Sequence, residues 1–285
     1  MDNRVYGLLM GGALGDATGS IAELIPGVPV VHPADSRRIN VEPGYWQEAT
    51  GTFLALGDAL FQEEPRTAFQ QNLCNPAAEF TSEGVMSNLD LGTEEFMAKG
   101  KTDHMGSDSG ALIRAAAVAL YHFEDYTGLL RSSHETCRFT HQNPLCADAC
   151  KLYAAILDAI LHGHSKRDVM DPNSYTNLRF KAHPEVLSVF DRQVTLADLV
   201  GGYDALEVLA MALYCFQTTN KYTEGMTLAL GSSLKPSHVG AVYGQLAGAY
   251  YGLTDIKADW LECLSRPEPL LKFGERILNK INSKL

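Results

Sequence analysis

Residues 232–252, SSLKPSHVGAVYGQLAGAYYG, decide how the rest of the chain is read. Glycine returns every fourth residue, at Gly240, Gly244, Gly248 and Gly252. Within a helix each one costs roughly 1 kcal/mol relative to alanine. A four-residue step places all of them on one face. A bare ridge of that kind lets another backbone come close, so the stretch reads as a central helix buried in a bundle. A membrane span packed through small residues would use the same pattern. Only about fifteen apolar-leaning residues follow His238, however, Gln245 interrupts them, and a span needs ~20.

The start of this helix carries its own signal. Pro236 suits the first helical position, where no amide hydrogen is needed. Ser232, Ser233, Ser237 and Lys235 surround it with donors and one positive charge. Free helix-terminal amides beside a lysine make a ready anion site, although an ordinary cap with an exposed lysine has the same sequence. A second ridge lies near the other end of the chain. Gly7, Gly11 and Gly15 follow the same four-residue step among Val5, Leu8 and Leu9. Two ridges predict that the first and the late helix pack against each other.

With 285 residues, 46% of them hydrophobic and 20% charged, the chain has enough apolar surface for a full core. A net charge of −11 argues against a broad nucleic-acid surface, but a pocket for a phosphorylated small molecule needs only a few placed donors. Six cysteines do not make a disulfide scaffold in a chain of this length. Cys137, His141, Cys146 and Cys150 follow no zinc spacing, and thiols on apolar helix faces are usually core. No metal is expected there. Asp2, Arg4 and Asp16 argue against reading the beginning as a signal peptide, so a reducing cytoplasm is the default expectation.

Further helices are predicted from Thr50 or Thr52 as a cap, from residues 108–110 through ALIRAAAVALYHF, over 128–138, and from Pro144 to Gly163. Two more are expected over 203–217 and after Pro267 and Pro269. Residues 63–107 read as short helices joined by loops. Thr195 with Asp198 is expected to open a turn. Period-two alternation is scarce, so residues 1–285 are expected to form an all-α, single compact multi-helix domain without fixed-length repeats.

Four stretches stand out at predicted helix ends: GDATGSIAE (15–23), ATGT (49–52), GSDSGALIR (106–114) and KPSH (235–238). With GLLMGGALGDATGSIAE, GALIRAAAVAL, RFTHQNP (138–144), GGYDALEVLAMALYCF and GAVYGQLAGAYYG, their order resembles the ADP-ribosylglycohydrolase family over nearly the whole chain. That family includes the dinitrogenase-reductase-activating hydrolases and the J1 crystallins. The resemblance implies the Glu23 carboxylate beside the scissile ribose bond, with Asp16 nearby. It implies a diphosphate on Ser109, Gly110 and Ala111, and His141 toward the adenosine.

Family hydrolases hold two magnesium ions through T-D-D-T and G-D-x-D-T motifs. The resemblance sets Ala49, Thr50, Gly51 and Thr52 against the first and residues 234–238 against the second, so four aspartates are missing and Lys235 stands at one of them. Magnesium requires hard oxygen ligands, so no metal and no cofactor is expected. The expected ligand is ADP-ribose or a related nucleotide, possibly carried on an ADP-ribosylated protein, in a metal-free pocket. Thr50, Thr52, Lys235 and Ser237 would line it, with no nucleic acid and no membrane involved. Two alternatives stay open: a metal-independent hydrolase using Glu23 and Asp16, and a crystallin-like structural protein without a working pocket. Bland readings also stand beside the site: Asp16 as a turn cap, Arg114 as a buried structural cation, and His141 as a core histidine.

Overall fold

The structure, a computed structural model, describes residues 1–17, 44–75, 89–176, 183–190, 204–231 and 235–283. Among these residues there are fifteen α-helices and no strand beyond an isolated bridge between Asp108 and Asp204. The all-α expectation holds. The first seven helices are α1 (Asp2–Asp16), α2 (Glu48–Ala59), α3 (Pro65–Cys74), α4 (Leu91–Lys99), α5 (Gly110–Tyr121), α6 (Tyr126–Thr140) and α7 (Pro144–Leu161). Three single turns follow, α8 (Lys166–Val169), α9 (Asn173–Thr176) and α10 (Pro184–Leu187). The last five are α11 (Ala205–Thr218), α12 (Tyr222–Gly231), α13 (Pro236–Tyr251), α14 (Ala258–Glu262) and α15 (Glu268–Asn282).

Helices α1 and α13 run antiparallel through the centre, and their glycines explain why they can. A Cβ added to Gly7 would lie 2.1 Å from the Gly248 carbonyl oxygen, one on Gly11 2.5 Å from that of Gly244, and one on Gly15 1.9 Å from that of Gly240. Seen from α13, the Gly240, Gly244 and Gly248 positions meet the carbonyls of Gly15, Gly11 and Gly7 at 2.6, 2.0 and 2.0 Å. The two ridges are therefore one seam of backbone on backbone. Gly252 departs from the expectation. It ends α13 rather than extending the ridge, with φ at +86° and its amide bonded to the Gly248 carbonyl. Arg4 covers the same helix end by donating to the Ala249 and Tyr250 carbonyls, a cation where the helix dipole favours one.

All of α13 from His238 to Ala249 is buried, so Gln245 had to be paired rather than hydrated. Its amide donates to the Ile113 carbonyl of α5, and its carbonyl accepts from the Tyr153 hydroxyl of α7. The residue that interrupts the apolar run thus ties three helices together. Among the described residues no helix is long and apolar enough to cross a membrane.

Helix α2 begins at Glu48, and neither Thr50 nor Thr52 caps it. The cap comes from another helix. The predicted helix over 128–138 is longer, α6, and Pro144 opens α7 as expected. The turn placed at Thr195 and Asp198 lies outside the described residues.

Candidate functional site

The antiparallel seam brings the end of α1 to the beginning of α13, so Asp16 and Lys235 arrive at the same place. Asp16 closes α1 and is fully buried. Its Oδ2 accepts from the Gln47 amide at 2.8 Å and the Thr50 amide at 2.9 Å, which supplies the missing cap of α2. Its Oδ1 has no hydrogen-bond partner among the described residues. Burial, then the nearby Glu48 charge, push the carboxyl up to about 7 against the pull of the Thr50 and Gln47 bonds.

Glu48 lies next to it in the first turn of α2. Glu48 Oε1 is 3.2 Å from His238 Nε2, and His238 Nδ1 is 2.7 Å from the Ser109 hydroxyl. Burial holds His238 below its ordinary value in spite of Glu48, so the ring is neutral. Nε2–H then donates to the carboxylate and Nδ1 accepts from Ser109. The connectivity is that of a serine–histidine–carboxylate relay. Ser109 and His238 are both buried, so the relay ties α5, α13 and α2 together and offers no open nucleophile. Glu48 Oε2, like Asp16 Oδ1, is buried without a hydrogen-bond partner among the described residues.

Lys235 caps the start of α13 and is half-buried. Burial lowers its pKa, and the charges of Glu48, Asp90, Asp108 and Asp16, in that order, oppose the lowering. One ammonium group thus sits in the field of carboxylates drawn from four separate parts of the chain.

Asp90 caps α4, taking the Thr93 amide at 2.7 Å and the Thr93 hydroxyl at 2.9 Å. Burial acts to raise its pKa, but His141, Arg114 and the Thr93 bonds together hold it below the usual range. Arg114 is buried in α5, donates to the hydroxyls of Thr140 at 2.5 Å and Thr93 at 3.5 Å, and lies over the Phe69 ring. Its structural reading therefore fits. His141, also buried, places Nδ1 2.7 Å from the Thr140 hydroxyl.

The expected residues divide. Asp16, Thr50, Ser109 and Lys235 come together, and Ser237 lies half-buried in the first turn of α13 beside them. Thr52 turns its hydroxyl to the Ala49 carbonyl of its own helix. A Cβ at Gly110 would meet Asp90 Oδ2 at 2.6 Å and Arg114 Nη1 at 3.3 Å, so the glycine there makes room for a carboxylate and a guanidinium. Ala111 is buried in the same turn. Glu23 lies outside the described residues. The sequence reading missed Glu48, Asp90, Asp108, His104 and His238. Glu48 stands one residue before the ATGT window, and Asp90 shows the acidic cap that precedes a helix. Both signals were present locally, but neither tells which distant charge the side chain will face.

A sequence model of the ADP-ribosylglycohydrolase family matches residues 1–284. The chain is 23% identical over 304 aligned positions, 98% of its own length and 78% of the relative's, to an ADP-ribosylarginine hydrolase of Pseudomonas putida. It is 21% identical to an ADP-ribosyl-[dinitrogen reductase] glycohydrolase of Rhodospirillum rubrum, over 92% of this chain and 90% of that one. A solved structure described as an ADP-ribosylglycohydrolase-related protein complex superimposes with a TM-score of 0.76 at 26% identity, covering 98% of both chains. With the family matched end to end and the fold shared, the chain belongs to the ADP-ribosylglycohydrolase family.

Proposed function

We propose that this chain binds ADP-ribose or a related ribosyl nucleotide where the end of α1 meets the beginnings of α2, α5 and α13, with Lys235 in place of the family's paired magnesium ions. The observation that carries the reading is the ammonium of Lys235 in the combined field of Glu48, Asp90, Asp108 and Asp16. A magnesium pair fits this donor set poorly. Two bridged divalent ions need several free hard oxygens, but Asp90 is taken up by the Thr93 amide and hydroxyl, Glu48 faces His238, and the start of α13 adds a lysine, a proline, a serine and a histidine. Asp16 and Glu48 each have one oxygen without a hydrogen-bond partner among the described residues, but Asp16 holds its proton up to about pH 7. The same ammonium attracts ligand phosphate or hydroxyl oxygens as a point charge, and the amides of three helix starts add to that field.

The test is a pair of titrations on the full chain. Calorimetry with Mg²⁺ is expected to give no saturable binding, while ADP-ribose raises the melting temperature and Lys235→Met abolishes the rise. Saturable micromolar magnesium binding by the unaltered chain would overturn the reading.

A second reading keeps hydrolysis without magnesium. It draws on the Asp16–Glu48 pair, in which one carboxyl stays protonated near neutrality beside a second carboxylate, the division that acid–base cleavage of a ribosyl bond uses. Turnover of ADP-ribosyl-arginine protein in chelator, lost in both Glu23→Gln and Glu48→Gln, would establish it. Absence of turnover in chelator at every pH from 5 to 9 would dispose of it.

A further inference from the structure

We propose that His104, Asp108 and His141 form a mononuclear site for a divalent transition metal of the zinc class, separate in donor chemistry from the family's magnesium pair. One nitrogen of each ring and one carboxylate oxygen lie within 4.8 Å of one another. His104 Nε2 is 3.1 Å and His141 Nε2 3.8 Å from Asp108 Oδ2. Ligands about 2.0–2.1 Å from a tetrahedral zinc stand roughly 3.3 Å apart, so small adjustments would close the set. His141 Nε2 is buried without a hydrogen-bond partner among the described residues, with Asp90 Oδ1 3.5 Å away as its nearest carboxylate oxygen. A buried ring nitrogen in that condition calls for an explanation, and a bound cation supplies one.

The surroundings are built rather than incidental. The loop carrying His104 and Asp108 is pinned to the turn carrying His141. The Gln142 amide donates to the His104 carbonyl at 2.8 Å, and the Asn143 side chain donates to the Met105 carbonyl at 3.1 Å. On its other side the loop is bonded to α11, through the Ala205 amide to the Ser107 carbonyl and the Ser107 hydroxyl to Asp204. Gly106 and Gly92 give the His104 ring its space. A Cβ on Gly106 would lie 2.2 Å from His104 Nε2, and one on Gly92 2.9 Å from its Cδ2.

The orientation of His141 is also fixed. Arg114 can only donate, so the Thr140 oxygen accepts from it, and the Thr140 hydroxyl makes a second bond to His141 Nδ1 in which either group can be the donor. Metal binding selects the tautomer in which Nδ1–H donates to Thr140 and Nε2 carries the lone pair, the arrangement by which a second hydrogen bond orients a ligating histidine. Two imidazoles and one carboxylate favour zinc, cobalt, nickel or iron over magnesium. His104 and Asp108 remain partly exposed, which leaves a route in and a place for an added ligand.

The experiment uses the full chain, stripped with chelator and dialysed, then titrated with Zn²⁺ and with Co²⁺. One equivalent per chain is expected, with visible ligand-field absorption from Co²⁺ that Zn²⁺ displaces and a hundredfold excess of Mg²⁺ does not. His104→Gln and Asp108→Asn, both at partly exposed positions, are each expected to weaken Zn²⁺ affinity at least ~100-fold while keeping the circular-dichroism melt cooperative. Three results would overturn the proposal: no binding tighter than ~10 μM, binding unchanged in both variants, or binding lost in Cys137→Ser instead. The last would assign the metal to Cys137, Cys146 and Cys150, a buried trio with Cys137 Sγ 3.6 Å from Cys146 Sγ. Because ADP-ribose binding is read separately by its melting shift, failure here leaves the nucleotide reading standing, and the reverse is equally true.

Discussion

The seam between α1 and α13 and the polar cluster at its end are built from the same two helices on opposite principles. Along the seam the paired glycines set backbone against backbone at spacings no side chain fits. The constraint is steric and repeats every four residues. At the end of the seam the partners are single side chains from α1, α2, α4, α5, α13 and the 104–108 loop, and charge holds them together. The seam tolerates no addition, whereas the cluster tolerates a substitution and reports it as altered binding or altered pH dependence.

The largest effect should therefore come from the seam. Gly15→Val places its Cβ about where the Gly240 backbone already is, 1.9 Å from the carbonyl oxygen. Helices α1 and α13 must part for it to fit. Overpacking of this kind costs roughly 3 kcal/mol or more, a fall in melting temperature of at least ~6 °C, or failure to recover folded protein. A melt within a degree of the unaltered chain would mean that the two backbones are not in contact.

The next largest effect belongs to Lys235. Lys235→Met leaves Glu48 and Asp16 facing each other without the cation. A loss of ~1 kcal/mol, or roughly 2–4 °C, is expected at pH 8, together with loss of the ADP-ribose shift. At pH 6 the stability loss shrinks, because Asp16 takes up its proton there. Lys235→Asp restores a carboxylate and is expected to create measurable magnesium binding by calorimetry. If it binds none, position 235 is not where the family's cation would lie.

Asp16→Asn sharpens the contrast further, since the amide can still accept from Gln47 and Thr50. Between the ordinary carboxyl value of 3.8 and the folded value of about 7, the native chain holds a proton that the unfolded chain has released. Native stability therefore falls as pH rises through that window. The asparagine variant lacks this slope, so its melting temperature should gain on the unaltered chain by a few degrees between pH 5 and pH 8. His238, whose value is lowered, contributes the opposite slope below 6.5 in both proteins and cancels in the difference. Parallel pH profiles would show that Asp16 is ionised throughout.

The smallest effect tests the seam by its absence. A Cβ at Gly231, the last residue of α12, meets nothing within 4 Å. Gly231→Ala should be neutral or stabilise by up to ~1 kcal/mol, which a denaturant midpoint can resolve.

The same contrast explains what could be read from the residues alone. Gly7, Gly11 and Gly15 announced their partners because a steric rule leaves a period in the sequence, and Pro236 and Pro144 marked helix starts because a missing amide is tolerated only there. Lys235 drew notice by standing where a carboxylate was expected, and Asp16 by its motif, but the other three carboxylates that Lys235 faces did not. Glu48 and Asp90 had local uses as first-turn and cap residues, and nothing local records a charge contact made across a long stretch of chain. Thr52 illustrates the converse, since its motif position suggested the pocket while its hydroxyl donates within its own helix. Gly110 shows a third case, a glycine suited to a phosphate loop whose spare volume is taken up by Asp90.

Arg4 meets the carbonyls of Ala249 and Tyr250 across separations of 245 and 246 positions. The seam between α1 and α13 therefore cannot close until Tyr250 has left the ribosome. Until then the first helix waits with its glycine face uncovered. Contacts of such long range slow the search for the native arrangement, and they lengthen the interval in which that face stays open to wrong partners during synthesis.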